Sequence, residues 1–178
     1  MRAAVVALLL LAAVTAAACG GSSPAGTSAT STGAATTRVG CSDGELTMVV
    51  QQQITVLNAL TTDISRDWFL TKEKQQAGIA AATAELGQLD TVAHALDACR
   101  AEASEQQAKL IEPALAADAA IRDFADATIA IAKGKSLSAA QKALRKARPE
   151  MEKLTATLTR ALAALSTQWQ VWQLDHKS

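Results

Sequence analysis

The sequence predicts an all-α domain, an up-down-up-down bundle of four helices over residues 41–178, and three observations carry that prediction. The stretch is dominated by Ala, Leu, Gln, Glu and Lys, with Pro only at positions 113 and 149 and no Tyr; such residues are strong helix formers. Its apolar residues recur at alternating steps of three and four, the spacing that lines one helix face. Capping signals open three of these series, as Ser42 with Glu45, Ser104 with Gln107 and Ser138 with Gln141.

Residues 1–40 are of another kind. Behind Met1-Arg2 runs an uncharged, almost wholly apolar stretch of sixteen residues, Ala3 to Ala18, whereas a membrane-spanning helix needs about 20. One basic residue, a short apolar run and small residues at its end read as an export signal over residues 1–18. The segment Ala16-Ala17-Ala18-Cys19-Gly20 resembles the cleavage box of bacterial lipoprotein precursors, in which the cysteine thiol receives a diacylglycerol. Ala16 stands where that box usually carries Leu, and Ala16-Ala17-Ala18 is equally an A-x-A site for ordinary signal peptidase, cutting at the same bond. The resemblance implies fatty-acylated Cys19 (palmitate-type chains) and anchoring on the outer face of the bacterial cytoplasmic membrane; the ordinary cut implies secretion.

From Cys19 to Gly40 the chain holds one charge, Arg38, and one large apolar residue, Val39. Such a segment cannot bury enough surface to offset the entropy of ordering, so residues 19–40 are expected to be a flexible tether. Twenty-one residues of coil beyond the cysteine span on the order of 25 Å on average and about 70 Å when stretched. Nine Ser and Thr residues, Thr27 and Thr30 among them, are candidates for O-linked sugars on composition alone.

The first helix is expected near residues 43–70. Leu46, Val50, Gln53, Leu57, Leu60, Ile64 and Trp68 share its face, and Ser42 opens it with a capping box. A second series, Ile79, Ala82, Leu86, Leu89, Ala93 and Leu96, is one residue out of phase with the first, which marks a turn over Thr71–Gln76 and a second helix near 75–100. Antiparallel helices of equal rise pair residues equidistant from their turn, so residue 41 belongs near residue 100. The chain has three cysteines, Cys19, Cys41 and Cys99. With Cys19 lipidated, Cys41 and Cys99 remain as a disulfide pair in an oxidising compartment. Closing that loop restricts the unfolded chain by about 4 kcal/mol.

A third helix carries Leu110, Ala114, Ala117, Ile121, Phe124, Thr128 and Ile131. Since the phase from Ile79 to Ile131 never slips, a three-helix alternative stands beside it, with one long middle helix kinked at Pro113. Gly134 ends that element. The last helix, capped by Ser138, holds Leu144, Ala147, Met151, Leu154, Leu158, Leu165, Trp169 and Trp172 on one face and is expected to bend at Pro149. In such a bundle Cys41, Cys99 and Trp172 lie at the tether end, and Trp68, Thr71–Gln76 and Lys133–Ser138 form the far tip.

Chemistry is sparse. Asp90, His94 and Asp97 stand at i, i+4 and i+7 and share a helix face, but a structural metal site needs about four ligands, so a solvated charged face is the expectation. Met48, Met151, His94 and His176 exhaust the possible haem ligands, and Cys-x-x-Cys-His does not occur. No serine or cysteine stands in a pattern with a base and an orienting group, so no enzyme is expected and no cofactor beyond the covalent lipid. Trp169 and Trp172 continue the apolar seam and read as core, with a membrane-interface contact as the other reading.

Charge is the remaining signal. The whole chain balances seventeen basic against seventeen acidic residues, yet residues 85–126 hold nine acids and three bases, and residues 133–160 hold eight bases and two acids. Complementary neighbouring helices would explain this. The sharper reading gathers Lys72, Lys74, Lys133, Lys135, Lys142 and Arg145 at the far tip, where they would meet an anionic envelope polymer or an acidic face of an envelope protein. No aromatic platform accompanies them, which argues against nucleic acid. The expected function is therefore a membrane-anchored, non-catalytic interaction module, of which scaffolding and phage exclusion are examples. The alternative is a small-ligand carrier or sensor with an Ala-, Leu- and Trp-lined pocket between the helices.

Overall fold

The computed structural model describes residues 41–64 and 66–176; the expected export signal, Cys19 and the expected tether fall outside them. Those residues form five α-helices and one 3-10 turn, with no strand among them: α1 (Asp43–Asp63), the turn Arg66–Phe69, α2 (Lys72–Arg100), α3 (Glu105–Ala132), α4 (Leu137–Lys146) and α5 (Arg148–Asp175). Helix α1 packs on α2, α2 on α3, and α3 on both α1 and α5, while α4 rests against α3, α5 and the 3-10 turn.

The cap of α1 is the expected one: the Ser42 hydroxyl accepts from the Glu45 N–H, and the Glu45 carboxylate accepts from the Ser42 N–H. This helix ends at Asp63 rather than near 70. The chain then turns through Arg66–Phe69 so that Trp68, buried at 2% exposure, can lie over Gly78, where any side chain would overlap the indole ring. The Trp68 indole N–H donates to the Asp63 carbonyl at 2.6 Å and holds the crossing in place. Thr71 caps α2.

The three-helix alternative and the bounds of the last helix also need correction. The single long middle helix does not form, because α2 ends at Arg100 and a second reciprocal box, Ser104 with Gln107, opens α3; side-chain capping breaks the chain there without Gly or Pro. Helix α3 continues through Pro113. The last predicted helix is two: Ser136, not Ser138, caps α4, and Ala147 closes α4 and begins α5. Pro149 therefore does not bend a helix but sits in the first turn of a new one, where its missing N–H costs nothing.

The core follows the predicted faces. Leu46, Val50, Leu57 and Leu60 of α1 meet Leu89 and Leu96 of α2, Leu110, Ala114 and Ile121 of α3, and Leu158 and Leu165 of α5, all in one buried cluster. Trp169 and Trp172 belong to it, so they are core residues. Gln53 sits in that seam, and its amide donates to the Ala114 carbonyl at 2.7 Å, tying α1 to α3. Cys41 and Cys99 are joined by a disulfide, with their Cα atoms 4.9 Å apart.

Candidate functional site

The six predicted tip cations come from three places in the chain. Lys72 and Lys74 lie in the first turn of α2, Lys133 caps α3, Lys135 lies in the loop that follows, and Lys142 and Arg145 belong to α4. Contacts bring these places to one end. The Gln141 amide donates to the Phe69 carbonyl at 2.8 Å, linking α4 to the chain just before Lys72. Gly134 lies against the Ala140 backbone, where a Cβ would come within 3.1 Å of its nitrogen, which folds α4 back beside Lys133 and Lys135.

All six cations are exposed. Lys74 pairs with Asp67 at 3.1 Å; among the described residues the other five have no carboxylate within ion-pair distance. Nor does any ion pair among the described residues join an acid of 85–126 to a base of 133–160. The pairs of the basic stretch, Arg148 with Glu152 and Lys153 with Glu150, stay within α5. The acidic stretch uses its own few bases. Arg122 grips the buried Asp118 with two nitrogens, at 2.7 and 3.2 Å, and Asp90 with a third at 2.6 Å. Burial of that guanidinium lowers its pKa, but the two carboxylates outweigh this and hold it above its ordinary value.

Helix α4 gives the basic tip its shape. Its apolar side packs inward through Ala140, which is buried, and through the half-buried Leu137 and Leu144. Ser138, Lys142, Arg145 and Lys146 face solvent. Lys142, Arg145 and Lys146 stand at i, i+3 and i+4, so they share one face.

The opposite end is closed by polar contacts. The Gln107 amide donates to the Cys41 carbonyl at 3.0 Å and to the Asp43 carboxylate at 2.8 Å. His176 stacks on Trp172 with ring centroids 3.9 Å apart and places Nε2 3.2 Å from Asp43, and the Trp172 indole N–H donates to Thr47 at 2.9 Å. The end of α5 is thereby fastened to the start of α1. An open cleft of about 510 Å³ lies beside it, lined by Ser104, Gln106, Lys109, Val171, Trp172 and Asp175 among others. Inside the bundle, the gap among Ile54, Leu57, Asn58, Leu162 and Leu165 amounts to about 10 Å³, the room of a single water.

The chain matches no protein family, no curated protein and no solved structure. Its functional reading rests on its own residues.

Asp90, His94 and Asp97 are all exposed on α2. Arg122 engages Asp90, and Arg100 stands 3.8 Å from Asp97; among the described residues no group of three or more His, Cys, Asp and Glu is placed to hold a metal. No described helix is long and apolar enough to cross a membrane. One titrating group escaped the sequence reading. Glu85 has its carboxyl pKa raised to about 7, first by burial, then by the nearby Asp63 carboxylate. Its buried Oε2 has no hydrogen-bond partner. Nothing in the sequence marks that meeting, because Asp63 and Glu85 lie on different helices.

Proposed function

We propose that the chain is a lipid-anchored extracytoplasmic protein whose helical domain works by contact, presenting a basic tip to an anionic partner in the cell envelope. Cys19 is the anchor point and residues 20–40 the tether. The domain reads as an up-down-up-down bundle of four long helices, α1, α2, α3 and α5, with the short α4 laid across the end. That arrangement is supported by the Cys41–Cys99 bond, by Gln107 reaching Cys41 and by Trp172 reaching Thr47. These contacts put the start of α1, the end of α2, the start of α3 and the end of α5 together.

The observation that carries the functional reading is that, among the described residues, five of the six exposed cations at the end away from Cys41 have no acid partner. A 28-residue helix such as α3 is about 42 Å long, so the tip stands that far beyond the point where the tether joins. Charges placed to stabilise the fold would have met the acids of α2 and α3. These reach solvent instead.

Two measurements test the proposal. Fatty-acid labelling is expected on the wild-type chain and absent from Cys19→Ala, which should leave the membrane fraction after processing; unlabelled wild-type protein would remove the anchor. Reversing Lys133 and Lys135 to Glu is expected to weaken capture of the envelope partner with melting unchanged. A small-ligand role has one observation in its favour, the open cleft beside Trp172, whose volume lies within the usual range for ligand sites. Ligand-dependent melting that is lost on Val171→Asp would support it.

A further inference from the structure

We propose that the outer face of α4 and the loop before it form a docking surface for a linear polyanion, a polymer that repeats its negative charge along its length. This rests on the reading of the tip as a contact site and names the chemical class of its partner.

Three observations favour a polymer over an acidic protein. The first is an uninterrupted run of one sign. Between Asp126 and Glu150 there is no acid, while Lys133, Lys135, Lys142, Arg145, Lys146 and Arg148 supply six bases. The second is the way the fold displays the run. Lys142 and Lys146 are separated by about 6 Å along the helix axis, with Arg145 between them on the same exposed face. With the loop lysines before them, these charges form a strip that follows a helix rather than closing around a pocket. The third is what the strip lacks. A protein interface is centred on a desolvated apolar or aromatic anchor and is depleted of Lys. Among the described residues the exposed large apolar side chains are Met48, Leu70, Val171 and Leu174; only Leu70 lies at this end, just before Lys72, and none lies on α4 or in the loop before it. Lysine heads on mobile stems, hydrated and unpaired, instead suit a partner that offers many equivalent anions and needs no fixed register.

Binding of this kind is driven by release of the polymer's condensed counterions, so it weakens steeply with salt. The test uses the full-length chain in detergent with long-chain inorganic polyphosphate and with poly-L-glutamate as probes. Monomeric phosphate and glutamate at equal charge concentration serve as controls. Both polymers are expected to bind and both monomers to fail. For four neutralised charges, affinity should fall about fifty-fold between roughly 50 and 200 mM salt.

Lys142→Glu/Arg145→Glu/Lys146→Glu is expected to lose at least nine-tenths of polymer binding with its helical spectrum and melting temperature unchanged. Lys133→Gln/Lys135→Gln should lose part of it, and Lys109→Glu/Arg160→Glu, reversed away from the tip, should lose none. Equal binding of monomers, salt-independent binding, or an equal loss in the Lys109/Arg160 control would each overturn the inference. A photo-crosslinker at residue 142 in intact cells separates the two levels of the reading. Attachment to an envelope protein, with no polymer binding in vitro, refutes the polymer but keeps the tip as a contact surface; no attachment and no binding refute both.

Discussion

The disulfide joins Cys41, two residues before α1, to Cys99 in the last turn of α2 across a Cα separation of 4.9 Å. The bond lies where two helices folded about residues 64–71 should meet, and it closes that end of the bundle. Reducing it, or replacing both cysteines by Ser, is expected to lower the unfolding free energy by about 4 kcal/mol. Urea denaturation with and without reductant measures this. The far-ultraviolet spectrum should stay helical, since the two helices it joins, α1 and α2, carry their own side-chain caps.

Arg122 pairs with both Asp118 and Asp90, and Asp118 is nearly enclosed, with its side chain 8% exposed. Arg122→Ala leaves that carboxylate buried without its partner and is expected to cost on the order of 2–4 kcal/mol. Asp118→Asn/Arg122→Met, which removes both charges, should recover most of the loss. A double-mutant cycle by chemical denaturation gives the comparison.

Gly78 is required by Trp68. A methyl group at position 78 would overlap the indole, so Gly78→Ala must displace the ring and break its bond to the Asp63 carbonyl. The expected cost is about 1–3 kcal/mol. Trp68→Phe fluorescence subtraction should show that this tryptophan's emission moves to the red in the Gly78 variant, as it leaves the core for water.

Glu85 sets a pH dependence. Its carboxyl pKa is raised from the ordinary 4.5 to about 7 in the folded protein, so between those values the folded state keeps a proton that the unfolded chain has released. The group therefore weakens the fold as pH climbs from about 4.5 to about 7, and the deficit stays constant above that. Glu85→Gln, which cannot ionise, is expected to raise the melting temperature at pH 8 and to change it little at pH 4. Melting curves at the two pH values decide the sign.

Much of this was legible in the sequence because helix faces and caps are local signals. Ser42 with Glu45 and Ser104 with Gln107 form the boxes their spacing predicts, and the seam from Leu46 to Leu60 is buried as its period requires. The errors arose where a tertiary contact outweighed a local pattern. Trp68 keeps the helical phase of α1 but leaves the helix to lie over Gly78. Pro149 looked like a bend in a continuous pattern, yet Ser136 and Ala147 divide that pattern into two helices. The basic tip was readable as composition. That its charges are left without acids depends on which helices become neighbours, and no spacing within one helix reports that.

The claim that the domain acts through its basic tip is tested most directly by site-specific photo-crosslinking on intact cells, comparing a probe at residue 142 on α4 with one at residue 105 at the Cys41–Cys99 end. The expected result is a crosslinked adduct from position 142 that disappears when Lys133 and Lys135 are reversed, with none from position 105. Adducts from position 105 alone, or from both positions regardless of the reversal, would contradict it.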